Sequence, residues 1–252
     1  MDRLDGETYP YCTGTLISPT ILLTAAHCYP ETTRHFGVTF EAKYTASSTL
    51  YRGTFYEDPI LDIAVVKFNQ DIPAIDPDIP DDPAKLPNLP TAGQFNTAAK
   101  GSQFTAVGYG GDLAPKEPGG PLLVYDDQRE WAVTTLNSVT QTYLRLSQKQ
   151  GGGTCYGDSG GPNFLGEYPY NYDSSHVPTI ASITITGDSW CKTTNVTLRL
   201  DIKPVRDFLR AQGVLQVTQC SDGQDNDNDD KIDFGRRGDP DCVSETEDSE
   251  SS

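Results

Sequence analysis

Short apolar runs broken by polar, turn-forming residues recur from residue 11 to residue 200. The clearest are Thr15-Leu-Ile, Ile21-Leu-Leu-Thr, Ala64-Val-Val-Lys-Phe, Phe104-Thr-Ala-Val-Gly-Tyr, Tyr143-Leu-Arg-Leu and Ile180-Ala-Ser-Ile-Thr-Ile. Clusters of Gly, Pro, Asn and Asp separate them, which predicts an all-β sandwich or barrel arrangement and not alternating βαβ units. One stretch has helical spacing. Ile202, Val205, Phe208 and Leu209 share a face, so a helix is expected over 202–212, with Asp201 as its N-cap, Pro204 in the first turn and Gly213 at its end.

Six prolines (Pro73, Pro77, Pro80, Pro83, Pro87 and Pro90) interleave with Asp between residues 73 and 90. Proline cannot donate to a β ladder, so this segment is expected to be an extended connection. It divides the β region into a half at about 8–72 and another at about 100–200, each of a size that closes a small barrel.

Composition narrows the classes further. The chain has 252 residues and a formal net charge of −17, which opposes docking on phosphate backbones or anionic lipid. No apolar run approaches the length of a membrane-spanning helix. No nucleic-acid partner is therefore expected. The acids are unevenly spread, with 12 of the 36 lying in residues 220–252 against 3 of the 19 bases, which sets off an acidic tail. Six cysteines without any CxxC spacing argue against a zinc ribbon and for disulfides formed in an oxidising compartment. Secretion is expected. Met1 opens on the polar stretch MDRLDGETYP, so a signal peptide is expected upstream of this start.

Three runs carry candidate chemistry. Cys12 to Cys28 ends in Thr24-Ala-Ala-His27-Cys28, Asp62 heads the apolar run Asp62-Ile-Ala-Val-Val, and Gly157-Asp158-Ser159-Gly160-Gly161-Pro162 surrounds a serine with glycines. Glycine permits backbone geometry that turns successive N–H groups toward one point, as an anion pocket requires. A carboxylate at the head of an apolar strand needs a hydrogen-bond donor, and an imidazole N–H is one. A serine needs a base to activate it, and the base needs an acid to fix its tautomer.

Through TAAHC at 24–28, DIAVV at 62–66 and GDSGGP at 157–162, in that order, the chain resembles the trypsin/chymotrypsin-like serine endopeptidases. The resemblance covers roughly residues 10–212. It implies two six-stranded antiparallel Greek-key barrels with a C-terminal helix, a protease domain at 1–212 and a protein or peptide substrate. It also implies His27 as general base and acid, Asp62 as its orienting carboxylate, Ser159 as nucleophile, and Gly157 and Ser159 as oxyanion-hole donors. Cys12 then looks paired with Cys28, and Cys155 with Cys191. No cofactor is implied for catalysis, and a monomer is expected.

The family pattern also exposes departures. There, an N-terminal ammonium released by cleavage pairs with the acid before the serine, here Asp158, and residues 1–11 contain no such cleavage site. Asp158 is left without an identified partner. The resemblance places Gly153 at the base of the primary pocket, Thr186 and Gly187 at its entrance, and Asn195 where glycine is common. Lacking an acid at Gly153, the pocket is expected to disfavour Lys and Arg and to accept small or medium uncharged residues. Ile185 falls where a serine commonly bonds the triad aspartate, and the sequence Asn195-Val-Thr197 reads as a fortuitous glycosylation acceptor on a buried strand.

Beyond the helix, oxygen-bearing side chains recur at alternate positions through Asp225, Asp227, Asp229 and Asp233, which resembles the short DNDxD calcium segments found as accessory modules on secreted bacterial proteins. The match to an EF-hand loop is incomplete, with Asp230 at the turn glycine and Arg236 at the twelfth position. A calcium-binding module over 213–242, closed by a Cys220–Cys242 disulfide, and a solvated acidic tail both stay open, with disorder expected over 243–252. A rival for the whole chain is a catalytically silent protease fold that binds through the same surface, the tail serving as a calcium-dependent tether.

Overall fold

The computed structural model describes residues 10–29, 37–73, 86–113, 123–149, 152–167 and 177–216. The Cys220 and Cys242 pairing, the candidate calcium ligands Asp225, Asp227, Asp229 and Asp233, and the segment 243–252 lie outside the described residues.

In the first half, β1 (Thr15–Ser18), β2 (Ile21–Thr24), β3 (Gly53–Asp58) and β4 (Ile63–Phe68) form an antiparallel sheet in the order β1-β2-β4-β3. A bridge between Val38 and Tyr51 lies beside it. The six-stranded closure expected of both halves is seen, among the described residues, in the second half alone. There β5 (Gln103–Gly108), β8 (Glu130–Val139), β9 (Tyr143–Ser147), β10 (Pro162–Leu165), β11 (Ile180–Gly187) and β12 (Thr194–Arg199) close into a barrel in the order β10-β11-β12-β9-β8-β5. The short pair β6 (Asp112–Leu113) and β7 (Leu123–Val124) stands apart.

Strand β4 shows why an uninterrupted apolar run is needed between the halves. Its side chains alternate between two faces, and both are covered. Val66 and Phe68 pack with Leu22 and Ile72 inside the first half. Ile63 and Val65 face the other way and join Leu23 with Ile180, Ile183, Leu198, Leu200, Val205 and Leu209 in one core shared by both halves. The second barrel has its own interior of Phe95, Phe104, Leu136, Leu144, Leu146 and Ala181.

The helix α1 spans Lys203–Ala211, with Val205 and Leu209 buried in the shared core. Its C-terminus closes through Gly213 (φ +73°), with N–H bonds from Gly213 to Arg210 and from Val214 to Leu209 that satisfy two of the last carbonyls. Asp201, expected as the N-cap, does not cap; the N-cap is Ile202, with no side-chain bond. The Asp201 carboxylate is drawn inward instead. It accepts the Phe95 N–H at 2.8 Å and pairs with Arg199 at 2.9 and 2.7 Å, while Arg199 also donates to the Thr140 carbonyl and to Asn96 Oδ1.

Both members of that pair are buried, so removing one leaves an uncompensated charge. Asp201→Ala is expected to lower unfolding stability by about 3–5 kcal/mol in urea titration. A change below about 1 kcal/mol would show the pair to be ornamental.

Candidate active site

His27 stands on a 3₁₀ turn at Ala26–Cys28, directly after β2, and the Cys12–Cys28 disulfide braces the turn. Asp62 sits at the head of β4 with φ +60°, a left-handed backbone that Asp tolerates better than most residues. Its carboxylate accepts from the ring at 2.9 Å and 3.0 Å (Nδ1 to Oδ2 and Oδ1) and from the His27 backbone N–H at 3.0 Å. A carboxylate only accepts, so Nδ1 carries a proton, and in the neutral ring the lone pair is then on Nε2. Ile185, where a serine was one way to hold the aspartate, packs instead against the shared core. Ile185 offers Asp62 no side-chain donor, and the His27 backbone N–H supplies one.

Ser159 lies across the seam. Thr13 N–H donates to the Ser159 carbonyl at 2.8 Å, and Cys28 Sγ lies 3.5 Å from that same oxygen. No hydrogen bond joins Ser159 Oγ to the imidazole among the described residues. Such bonds often tighten only when substrate is bound. Thr13 ties the serine loop in two further ways, donating from Oγ1 to the Gly157 carbonyl at 2.9 Å and accepting the Tyr109 N–H at 3.1 Å. Around the serine, the N–H groups of Cys155, Asp158, Gly160 and Gly161 are all bonded. Those of Tyr156, Gly157 and Ser159 donate to no acceptor among the described residues. Gly157 (φ +103°) adopts a backbone suited to glycine, and a Cβ there would meet the Gly110 Cα at 3.0 Å.

Asp158 is buried. It takes the Gly110 N–H at 2.9 Å on one oxygen and the Cys155 N–H at 2.8 Å on the other, so two backbone donors partner the carboxylate that sequence left alone. Burial nevertheless dominates and pushes its pKa up to about 6, against the pull of those two bonds and with Asp112 adding to the rise. Gly108 and Gly110 make the space, since a Cβ at either would fall 1.8 Å and 2.2 Å from an Asp158 oxygen.

The expected pocket residues divide. Thr186 and Gly187 are exposed at the end of β11. Gly153 is half-buried, and the Gln148 side chain covers the face where its Cβ would be, with Oε1 at 2.1 Å from that position. Asn195 is fully buried, its amide donating to Asn163 Oδ1 at 3.1 Å and Thr184 Oγ1 at 3.3 Å, which also removes it as a glycan acceptor. The Cys155–Cys191 disulfide forms as expected and carries the exposed Tyr156 and Trp190 beside it. Asp188 shapes that turn. Its burial favours the neutral acid, but three backbone N–H bonds from Lys192, Thr193 and Thr194 hold its pKa well below the usual carboxylate range.

Cys12, His27 and Cys28 bring potential ligand atoms within 4.8 Å of one another, yet both sulfurs are consumed in the disulfide. That group braces a histidine and lacks the thiolates of a metal centre.

Sequence reasoning missed Thr13, Gly108, Gly110 and Gln148. The glycine density of Gly108-Tyr109-Gly110-Gly111 was a usable signal for a close backbone approach. Thr13 and Gln148 carried none.

The imidazole–carboxylate pair and the glycine-flanked serine are thus brought to one seam by the Thr13 and Cys28 contacts to the serine loop. A family model described as Trypsin matches residues 2–196, which is more than half of the chain. The protein belongs to this family of trypsin/chymotrypsin-like serine peptidases.

Two outcomes follow from the serine loop. At Gly160 (φ +81°) a Cβ would lie 2.1 Å from Thr24 Oγ1, 2.5 Å from the Thr13 carbonyl and 2.7 Å from the Ala25 nitrogen, whereas at Gly166 (φ +98°) it would meet nothing within 4 Å. Thermal melts should show Gly160→Ala losing clearly more stability than Gly166→Ala, whose cost is backbone strain of about 1–3 kcal/mol. Equal losses would remove the close approach as the cause. Asp158 binds its proton more tightly folded than unfolded, so its contribution to stability is complete below about pH 4 and lost as pH rises through about 6. The difference in melting temperature between wild type and Asp158→Asn should therefore change over pH 4–6; a constant difference would contradict it.

Proposed function

We propose that the protein is a secreted serine endopeptidase whose His27, Asp62 and Ser159 act as a catalytic triad. The observation that carries this reading is paired: Asp62 holds the imidazole with Nε2 free, while the Gly157 and Ser159 N–H groups stay unbonded beside the serine. A peptide laid along the exposed end of β11 at Thr186–Gly187 would present its scissile carbonyl to Ser159 Oγ. Attack transfers the hydroxyl proton to His27 Nε2, and Asp62 stabilises the resulting imidazolium. The oxygen turned anionic is met by the Gly157 and Ser159 N–H groups. Collapse breaks the peptide bond, and the departing amine takes its proton from His27. Water, giving a proton to the same nitrogen, then releases the acyl group and restores Ser159.

No step uses a cofactor. Calcium in the 213–242 module is a proposal carried by the Asp225-to-Asp233 pattern alone. The disulfides at Cys12–Cys28 and Cys155–Cys191 support secretion, and no helix among the described residues is long and apolar enough to cross a membrane. Gly153 supports a preference for uncharged side chains over Lys or Arg. The rival, a silent binding module, has no use for an imidazole fixed in the basic tautomer or for two unbonded amides.

A fluorescent fluorophosphonate is expected to label wild type and not Ser159→Ala. Asp62→Asn should lose about 10⁴ in kcat on a cleaved peptide, because the amide no longer enforces the Nδ1–H tautomer. Absence of labelling in the wild type would favour the binding module.

A further inference from the structure

Gln148 follows β9, and its N–H continues the ladder by donating to the Thr193 carbonyl at 3.0 Å. Its side chain is 5 % exposed. The oxygen Oε1 is bonded to both the N–H and, at 3.1 Å, the Oγ1 of Thr154. The other end is different. Nε2, with two N–H donors, is buried and has no partner among the described residues. This carboxamide covers the bare face of Gly153, five residues along the chain and six before Ser159.

A second buried group is unmatched next to it. Asn195 uses its amide nitrogen on Asn163 and Thr184, yet its Oδ1 has no donor. In the β9–β12 ladder Asn195 pairs with Leu146, while Gln148 lies two residues beyond Leu146. The two therefore point to the same inner side of the barrel as diagonal neighbours, a spacing that long side chains span. One barrel end thus holds an unspent donor and an unspent acceptor on adjacent strands, and buried groups left this way are costly.

We propose that Gln148 and Asn195 read a primary carboxamide, so that the preferred residue before the scissile bond is Gln or Asn. This rests on the endopeptidase reading above. The carboxamide's oxygen accepts from Gln148 Nε2 and its NH₂ donates to Asn195 Oδ1. Other side chains match less well. An apolar side chain leaves both groups unpaired, a carboxylate turns a lone pair toward Asn195 Oδ1, and an ammonium or guanidinium opposes the Gln148 N–H groups. A hydroxyl must serve both from one atom, whereas the carboxamide has donor and acceptor on separate atoms.

The test is kcat/KM of the full-length protein on internally quenched peptides differing only before the scissile bond: Gln, Asn, Glu, Leu, Ser and Arg. Gln or Asn should exceed Leu by about 10²-fold, the scale at which a site built for hydrogen bonding rejects an analogue lacking them. Gln148→Glu keeps an oxygen for Thr154 and replaces the NH₂ by an acceptor. It should lower the Gln-to-Leu ratio at least about tenfold and raise cleavage after Arg. Wild type that is labelled and cleaves Leu within about threefold of Gln overturns the proposal and leaves the endopeptidase reading intact, as it would if an internal water alone satisfied the two groups. Wild type that is neither labelled nor active overturns both. The wild-type profile decides even if the variant does not fold.

Discussion

The site depends on the apolar seam in which Leu23, Ile63 and Val65 of the first half interlock with Ile180, Ile183 and Leu198 of the second. Two of those strands carry a site residue at one end, and the third site residue leads into a neighbour of β11. His27 follows β2, Asp62 precedes β4, and the segment after Ser159 runs into β10, which pairs with β11. Close packing leaves the seam little freedom to slide, because interdigitated side chains tolerate displacement poorly. An imidazole–carboxylate contact within one half and a serine in the other can therefore be held in register without a covalent link between them.

Polar stitching completes what the seam begins. Thr13 bonds the carbonyls of Gly157 and Ser159 and receives the Tyr109 N–H, and Thr24 in turn donates to the Thr13 carbonyl at 2.8 Å. One first-half segment thus grips both sides of the serine loop. Its approach is so close that only glycine fits at Gly160, and the same holds where Gly108 and Gly110 enclose Asp158. The N–H groups of Cys155, Asp158, Gly160 and Gly161 are taken up within this network, which leaves those of Tyr156, Gly157 and Ser159 without an acceptor among the described residues. Asp158 contributes as a buried acceptor for the Gly110 and Cys155 N–H groups, joining the loop to the β5 end of the barrel.

The inner end of the second barrel differs in kind from its middle. Phe104, Leu136, Leu144 and Leu146 fill the middle, while Asn163, Thr184, Asn195 and Gln148 gather at the end nearest Gly153. Buried carboxamides are costly unless paired, and this end leaves Gln148 Nε2 and Asn195 Oδ1 without a partner among the described residues.

Much of this protein was legible before any coordinates. Alternation and turn residues marked the strands, helical spacing marked α1 within a residue at each end, and three short runs named His27, Asp62 and Ser159, because these signals depend on neighbours along the chain. Two disulfides followed from the family resemblance. What the chain could not disclose is which buried polar groups face one another. Asp201 looked like a helix cap but pairs inward with Arg199 and Phe95, since a buried cation 2 residues away outcompetes a local N–H. Asn195 gave no sign in sequence that its amide nitrogen is held by Asn163 and Thr184. Asp158 seemed unpartnered because its donors, on Gly110 and Cys155, are backbone groups without a sequence signature. Local pattern determined the elements and the reactive residue types; the tertiary structure alone decided which buried polar groups meet, because hydrogen bonds form between atoms brought within about 3 Å whatever their separation along the chain.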